Sequence, residues 1–177
     1  GGCMTLPTLQ ELLIPTLGPR HFASPLQQRS NYVVDEQRRI LLCSDTVALQ
    51  PFLASHTPPP AFEPGGPRAA LFFAPDNVTA GIVTCGGLCP GQNNVIRAVV
   101  LALTYAYRVP RILGFRYGYA GLSAHSGYEP LLLAPEAVDT IHEHGGTLLG
   151  SSRGPQDVGN MVDTLRRRNV NILFTIG

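Results

Sequence analysis

Apolar and polar positions follow one another from Ala69 onward with a regularity that the first 68 residues lack. Residues 80–85 read as a strand that is apolar on both faces. Val95, Ile96, Val99, Val100 and Leu103 fall on one stripe of a helix spanning about 93–107. Residues 111–115 form a second strand, and Leu71-Phe72-Phe73 reads as a short edge strand. A short helix opens at Pro135, a favoured first-turn residue, and Gly145-Gly146 closes it. Residues 147–149 read as a brief third strand. A third helix starts near Pro155, with Val158, Met161, Val162 and Leu165 at i, i+3, i+4 and i+7. Arg166-Arg167-Arg168 lie in its last turn, where the helix dipole favours cations. Residues 170–176 complete the series as a fourth strand.

Strands alternating with helices predict an α/β fold: a Rossmann-like parallel sheet with helices on both faces. Ligands in such sheets bind at the carboxyl ends of the strands. Those ends are TCGGLCPG, RYGYAG, GSSRG and Gly177, and each complete loop is rich in glycine. Residues 1–68 are different. They contain a short helix candidate over 9–14, the extended-looking Asn31-Tyr32-Val33-Val34, and six prolines between Pro51 and Pro67. This pattern predicts an extended, Pro-rich N-terminal arm followed by an α/β domain over 69–177.

Composition narrows the chemistry. With 44% hydrophobic and 14% charged residues the chain can bury a core, and its net charge of +1 gives no field directed at nucleic acid or an anionic membrane. No apolar run approaches the roughly 18 residues of a membrane span. The opening GGCMTLPTLQELLIP lacks the basic start and sustained apolar core of a secretory signal, and the missing initial Met suggests a start further upstream. All 13 basic residues are Arg. Without Lys, neither a Gly-Lys-Ser/Thr phosphate loop nor a Schiff-base mechanism can be built. Cys3, Cys43, Cys85 and Cys89 are spaced neither as a disulfide framework nor as a zinc site, and His142 and His144 would face apart on a helix. No metal site is expected among them.

The stretch TCGGLCPGQNN joins the first strand of the α/β region to its first helix. Its glycines serve either a tight turn at positive φ or an anion lying against bare backbone at a helix N-terminus. Three glycine-rich loops at one sheet edge favour the second reading. A dinucleotide fingerprint does not fit, because Leu88 stands where the second glycine is required. No Asp or Glu occurs between Asp76 and Glu129, whereas Arg97, Arg108, Arg111 and Arg116 do. That balance suits a phosphate-rich ligand better than a ribose diol. In Ser151-Ser152-Arg153-Gly154, Arg153 is placed to clamp phosphoryl oxygens with its planar fork. Tyr117 and Tyr119 offer rings at the same edge, either to stack on a base or to pack against the helix layer.

Together these loops resemble those of the 6-phosphofructokinase family. AGIVTCGGLCPGQNNVIRAVV is similar to the family's first strand, glycine turn and first helix. GFRYGYAGL resembles its second loop, GGTLLGSSRG its third, and LFTIG the strand entering a Gly-Gly-Asp-Gly motif. AFEPGGPRAALFFAPDNVTAGIVTCGG resembles the plant and algal ATP-dependent branch, as does Leu88, where bacterial relatives carry Asp. The similarity covers about residues 31–177.

The resemblance implies phosphoryl transfer from ATP, with Mg2+, to fructose 6-phosphate, giving fructose 1,6-bisphosphate in glycolysis. Gly87 would lie against the nucleotide phosphates, with Gly86 shaping the turn. Tyr119 would lie beside the adenine. Arg153, next to Gly154, would reach the transferring phosphoryl group as a catalytic residue. It further implies a truncated, N-terminal part of a phosphofructokinase fold carrying a partial donor site and inactive by itself. The metal-linked Asp, the catalytic base and the fructose 6-phosphate pocket would lie beyond Gly177. A homo-oligomeric full-length enzyme is expected, with no nucleic-acid or membrane partner, in the cytoplasm or alternatively the plastid. A pyrophosphate-dependent relative and a non-catalytic nucleotide-binding short form are the alternatives.

Overall fold

The computed structural model describes residues 6–28 and 33–177. The chain divides into two compact units, one running to Phe72 and the other over Phe73–Gly177. Asn31 and Tyr32 of the expected extended stretch lie outside the described residues, and the 9–14 helix candidate is a single turn of 3-10 helix at Gln10–Leu12.

Two short antiparallel ladders organise the first unit. Strand β1 (Phe22–Ala23) and strand β2 (Ile40–Leu41) precede helix α1 (Thr46–Ser55), which is followed by β3 (Ala61–Phe62) and β4 (Ala70–Leu71). β1 pairs with β4, and β2 with β3. The expected boundary after residue 68 cuts off β4, whose partner is Phe22–Ala23. Helix α1 forms where a linker is expected. Asp45 caps it by accepting the Ala48 N–H at 2.9 Å, and the helix accommodates Pro51 while burying no residue.

The second unit is the α/β domain. Strand β5 (Thr79–Thr84) is buried at every position and leads through the glycine loop to helix α2 (Gln92–Leu101), which ends in a π-turn over Ala102–Ala106. Then come β6 (Arg111–Phe115), β7 (Leu131–Leu132), α3 (Pro135–Val138), α4 (Val158–Arg167) and β8 (Ile172–Ile176). The sheet order is β7-β6-β5-β8, with β5 parallel to both β6 and β8, and β7 antiparallel to β6.

Both faces of β5 and β6 are covered, which is why the middle of each strand is apolar. Ala80, Ile82 and Ile112 face a cluster with Ile96, Val100 and Leu103 from the α2 side and Val138 from α3. Val83, Leu113 and Phe115 face the other way, onto Leu122, Met161 and Leu165. Each fully buried Ile, Val or Phe contributes about 1.5–3 kcal/mol. Ile96 and Val100 on α2 and Leu103 in the turn that follows form the buried stripe, whereas Val95 is 44% exposed. On α4 only Met161 and Leu165 of the expected stripe pack into the cluster, since Val158 and Val162 are exposed.

The third expected strand is corrected: residues 147–149 are not a strand, and the third ladder is β7. The backbone of 147–149 has other partners. The Leu148 N–H donates to Asn93 Oδ1 at 2.7 Å, the Leu149 N–H to Thr147 Oγ1 at 3.1 Å, and the Leu149 carbonyl accepts the Tyr117 N–H at 2.7 Å. Glycines on both sides keep the segment too short to build a ladder.

Candidate functional site

The carboxyl ends of β5 and β6 and the loop after residue 149 enclose a cleft of about 740 Å³, lined by Gly86, Gly87, Leu88, Tyr117, Gly145, Gly146, Thr147, Gly150, Ser151, Ser152 and Arg153. That volume falls within the range of small-molecule sites. Three glycine-rich stretches therefore meet at the strand ends.

The first wall is the loop leaving β5. Gly86 adopts φ +81° and Gly91 φ +92°, so the chain turns through left-handed backbone before α2 starts. Gln92 and Asn93, the first residues of α2, are 2% and 4% exposed. Asn93 donates to the His144 carbonyl at 3.0 Å while accepting from Leu148, which ties α2 to the 144–148 segment. Gln92 Nε2 reaches the Gly87 carbonyl at 3.4 Å, and its buried Oε1 has no partner.

The opposite wall is the loop over residues 150–153. Two hydroxyls cross-link it to the first. Thr84 Oγ1 donates to the Gly150 carbonyl at 2.6 Å and lies 3.0 Å from Thr147 Oγ1. Ser151 Oγ donates to the Gly86 carbonyl at 2.7 Å. Arg153 extends its guanidinium over Gly87, where a β-carbon would stand 3.2 Å from Nη2. Glycine at 87 leaves room for this approach.

The loop leaving β6 supplies the aromatic group. Tyr117 has φ +60°, a left-handed conformation uncommon for a bulky residue, stabilised by its N–H bond to Leu149. Its ring lies under the Arg116 guanidinium at 5.1 Å and 4.6 Å from the Tyr128 ring. Arg116 Nη2 also donates to the Tyr117 hydroxyl at 3.0 Å. Gly118 follows at φ +60°, so close to the third loop that a β-carbon would come within 2.9 Å of the Ser152 N.

Of the residues singled out in the sequence, Gly86, Gly87 and Arg153 come together in the cleft. Gly154, at φ +102°, lies next to its wall without lining it. Tyr119 is turned elsewhere. It packs with the Val83–Phe115 cluster on the opposite sheet face, and a hydrogen bond to Cys85, then the charge of that thiol and burial, push its phenol above the ordinary value. Tyr117 is the ring that lines the cleft. Sequence reasoning missed Thr84, Gln92 and Ser151 as functional neighbours; polar side chains flanking the glycines were the available signal.

Chemically the cleft offers backbone N–H groups, one guanidinium and one aromatic ring. None of its lining residues is acidic, and among the described residues no group of three or more His, Cys, Asp or Glu could hold a metal. The residues present thus suit an anionic ligand and do not fit a magnesium site. No helix among the described residues is long and apolar enough to cross a membrane.

Residues 79–177 match the family model described as Phosphofructokinase. An ATP-dependent 6-phosphofructokinase of Amycolatopsis methanolica is 48% identical over 96% of this chain and 38% of its own length. One from Trypanosoma cruzi (strain CL Brener) is 54% identical over 65% of this chain and 24% of its own, and the ATP-dependent 6-phosphofructokinase 7 of Arabidopsis thaliana is 47% identical over 66% and 23%. The chain thus spans between 23% and 38% of these relatives' lengths. Its second unit, with the glycine loop that leaves the parallel strand β5 and the arginine across from it, matches that family model, and the chain belongs to the phosphofructokinase family.

Proposed function

We propose that this chain carries the phosphoryl-donor side of an ATP-dependent 6-phosphofructokinase, in which the γ-phosphoryl group of ATP passes to the 1-hydroxyl of fructose 6-phosphate. The observation that carries the reading is the Arg153 guanidinium held against Gly87 across the cleft. Phosphoryl transfer asks a protein chiefly to position groups and neutralise charge. Arg153 supplies two parallel donors to phosphoryl oxygens, and Gly86 and Gly87 let the triphosphate approach the backbone. Gly154 gives the chain leaving Arg153 its left-handed turn. Tyr117, the ring that lines the cleft, borders the adenine in place of Tyr119, which packs with the Val83–Phe115 cluster. Magnesium has no ligand among the residues lining the cleft, so no step is assigned to it.

The unit that runs to Phe72 acts as an arm of the enzyme, which works as a homo-oligomer in the cytoplasm, with the plastid as the alternative. The ATP-dependent relatives support the choice of donor. The test is a donor comparison with the full natural chain: fructose 6-phosphate is offered with ATP or with pyrophosphate, and fructose 1,6-bisphosphate is measured. Transfer from ATP, slowed about 10²–10³-fold by Arg153→Ala, is expected. Transfer from pyrophosphate alone would reverse the donor assignment.

A further inference from the structure

We propose that Tyr128 is a positioning residue for nucleotide binding: it holds the Tyr117 ring from outside the cleft and so aids recognition of the base without touching it. The proposal rests on the donor-site reading above, in which Tyr117 borders the adenine.

The sheet register brings the two rings together. β7 runs antiparallel to β6, with Leu132 opposite Leu113 and Leu131 opposite Gly114. Continued three residues beyond the last pair, that register sets Tyr128 opposite Tyr117. The ladder itself ends at Gly114 and Leu131, yet the two side chains still meet, as cross-strand aromatic neighbours do. Their ring centroids are 4.6 Å apart and their planes are tilted by 55°, within the range of favourable aromatic pairs. Bonds on either side fix Tyr128. Before it, Ser126 Oγ donates to the Ser123 carbonyl at 2.8 Å and accepts the Tyr128 N–H at 3.3 Å, while Gly127 turns between them at φ +68°. After it, Glu129 accepts from Arg168, at the end of α4, at 2.8 Å.

Tyr117 lines the cleft, whereas Tyr128 and Arg116 touch its ring without lining it. An exposed side chain hops freely between rotamers unless its neighbours hold it, and Tyr117 is 37% exposed. Three groups hold it. Arg116 stands 5.1 Å from the ring centroid and donates to the hydroxyl at 3.0 Å. Gly150 lies so near the ring edge that a β-carbon there would come within 2.9 Å of Cδ1. Of the three, Arg116 is the sequence neighbour of Tyr117 and moves with it, and Gly150 has no side chain. Tyr128 is the side chain that ties the ring to a separate stretch of chain. A ring already held does not have to be immobilised when a base arrives, which lowers the cost of binding. Phosphates held by Gly87 and Arg153 do not call on this ring.

The test titrates the full natural chain and its Tyr128→Ala and Tyr128→Phe forms with ATP and with tripolyphosphate, which carries the phosphates without the base. For Tyr128→Ala the Kd for ATP should rise about fivefold, the effect expected of one aromatic pair. The Kd for tripolyphosphate should stay within about twofold, which also shows that the site of the variant is folded. Tyr128→Phe keeps the ring and should bind ATP within about twofold of the parent. The proposal is overturned if Tyr128→Ala binds ATP as the parent does, or if both ligands weaken alike. It is equally overturned if Tyr128→Phe loses as much ATP affinity as Tyr128→Ala. If the unsubstituted chain binds neither ligand, the donor-site reading itself falls, and the proposal with it.

Discussion

Arg153 lies so close to Gly87 that a β-carbon on the glycine would stand 3.2 Å from Nη2. The contact is with the far end of a flexible side chain, which can move aside at little cost to the fold. Gly87→Ala should therefore change unfolding free energy by less than about 0.5 kcal/mol. Its effect should fall on the ligand, because the displaced guanidinium no longer faces the same point of the cleft. ATP affinity measured by titration is expected to drop; parental affinity would show that Arg153 needs no fixed seat there.

Removing the guanidinium is a different experiment from displacing it. Arg153→Ala should lower turnover far more than nucleotide affinity, because a cation aimed at the migrating group acts mostly on the transition state. Losing one such donor costs about 2.7–4 kcal/mol, roughly 10²–10³ in rate. Arg153→Lys should not restore the rate, since an ammonium cannot make the bidentate contact. Steady-state kcat and KM for ATP decide the matter.

Gly118 is constrained by backbone on two sides. A β-carbon there would meet the Ser152 N at 2.9 Å and the Thr84 carbonyl at 3.1 Å, at φ +60°. Main-chain atoms cannot swing away as a guanidinium does. The left-handed conformation alone costs an alanine roughly 1–2 kcal/mol, and the two contacts add to it. Gly118→Ala should lower the urea midpoint clearly, whereas an unchanged midpoint would mean that the second and third loops part easily.

Asn93 makes two bonds from a site 4% exposed, to the Leu148 N–H and the His144 carbonyl. Asn93→Ala strands both backbone groups, each at about 1–3 kcal/mol. Faster amide exchange at Leu148 is the specific signature to look for, because general destabilisation would speed exchange throughout the unit.

Alkaline stability follows from two phenols. Tyr119 is raised above its ordinary value of 10.0 by its bond to Cys85, and Tyr107 by burial. A raised folded value means that the folded state holds its proton where the unfolded chain has begun to release it. The associated stability is complete below about pH 10 and is lost as pH climbs through the folded values. Urea midpoints should thus fall above about pH 10, and Tyr119→Phe should flatten part of that slope.

The strands β5 and β6 were legible because parallel strands covered on both faces are apolar without a break, and their limits fall within a residue of the reading. β7 was not, since the three successive leucines between Tyr128 and Pro135 carry no period. Leu148 and Leu149 misled by being apolar; their hydrogen bonds go to Asn93, Thr147 and Tyr117, partners far away or out of line with any ladder. In the site, Gly86, Gly87 and Arg153 could be read from loop chemistry. The choice between Tyr117 and Tyr119 could not, because a left-handed Tyr117 breaks the alternation that would say which ring faces the cleft. Ser151 looks like any small loop residue until the carbonyl it holds is seen.

The bond from Thr84 to the Gly150 carbonyl joins residues 66 apart in sequence. At a synthesis rate of about 5–20 residues per second, Gly150 leaves the ribosome about 3 to 13 s after Thr84. During that delay β5 and α2 can find each other, since helix formation and local collapse take microseconds. The glycine loop between them has no opposite wall. Gly86 has no hydroxyl to hold its carbonyl, and no guanidinium stands over Gly87. Nascent chains that have not yet reached Gly150 therefore carry the loop without the clamp, and nucleotide is expected to engage only after the third loop has docked.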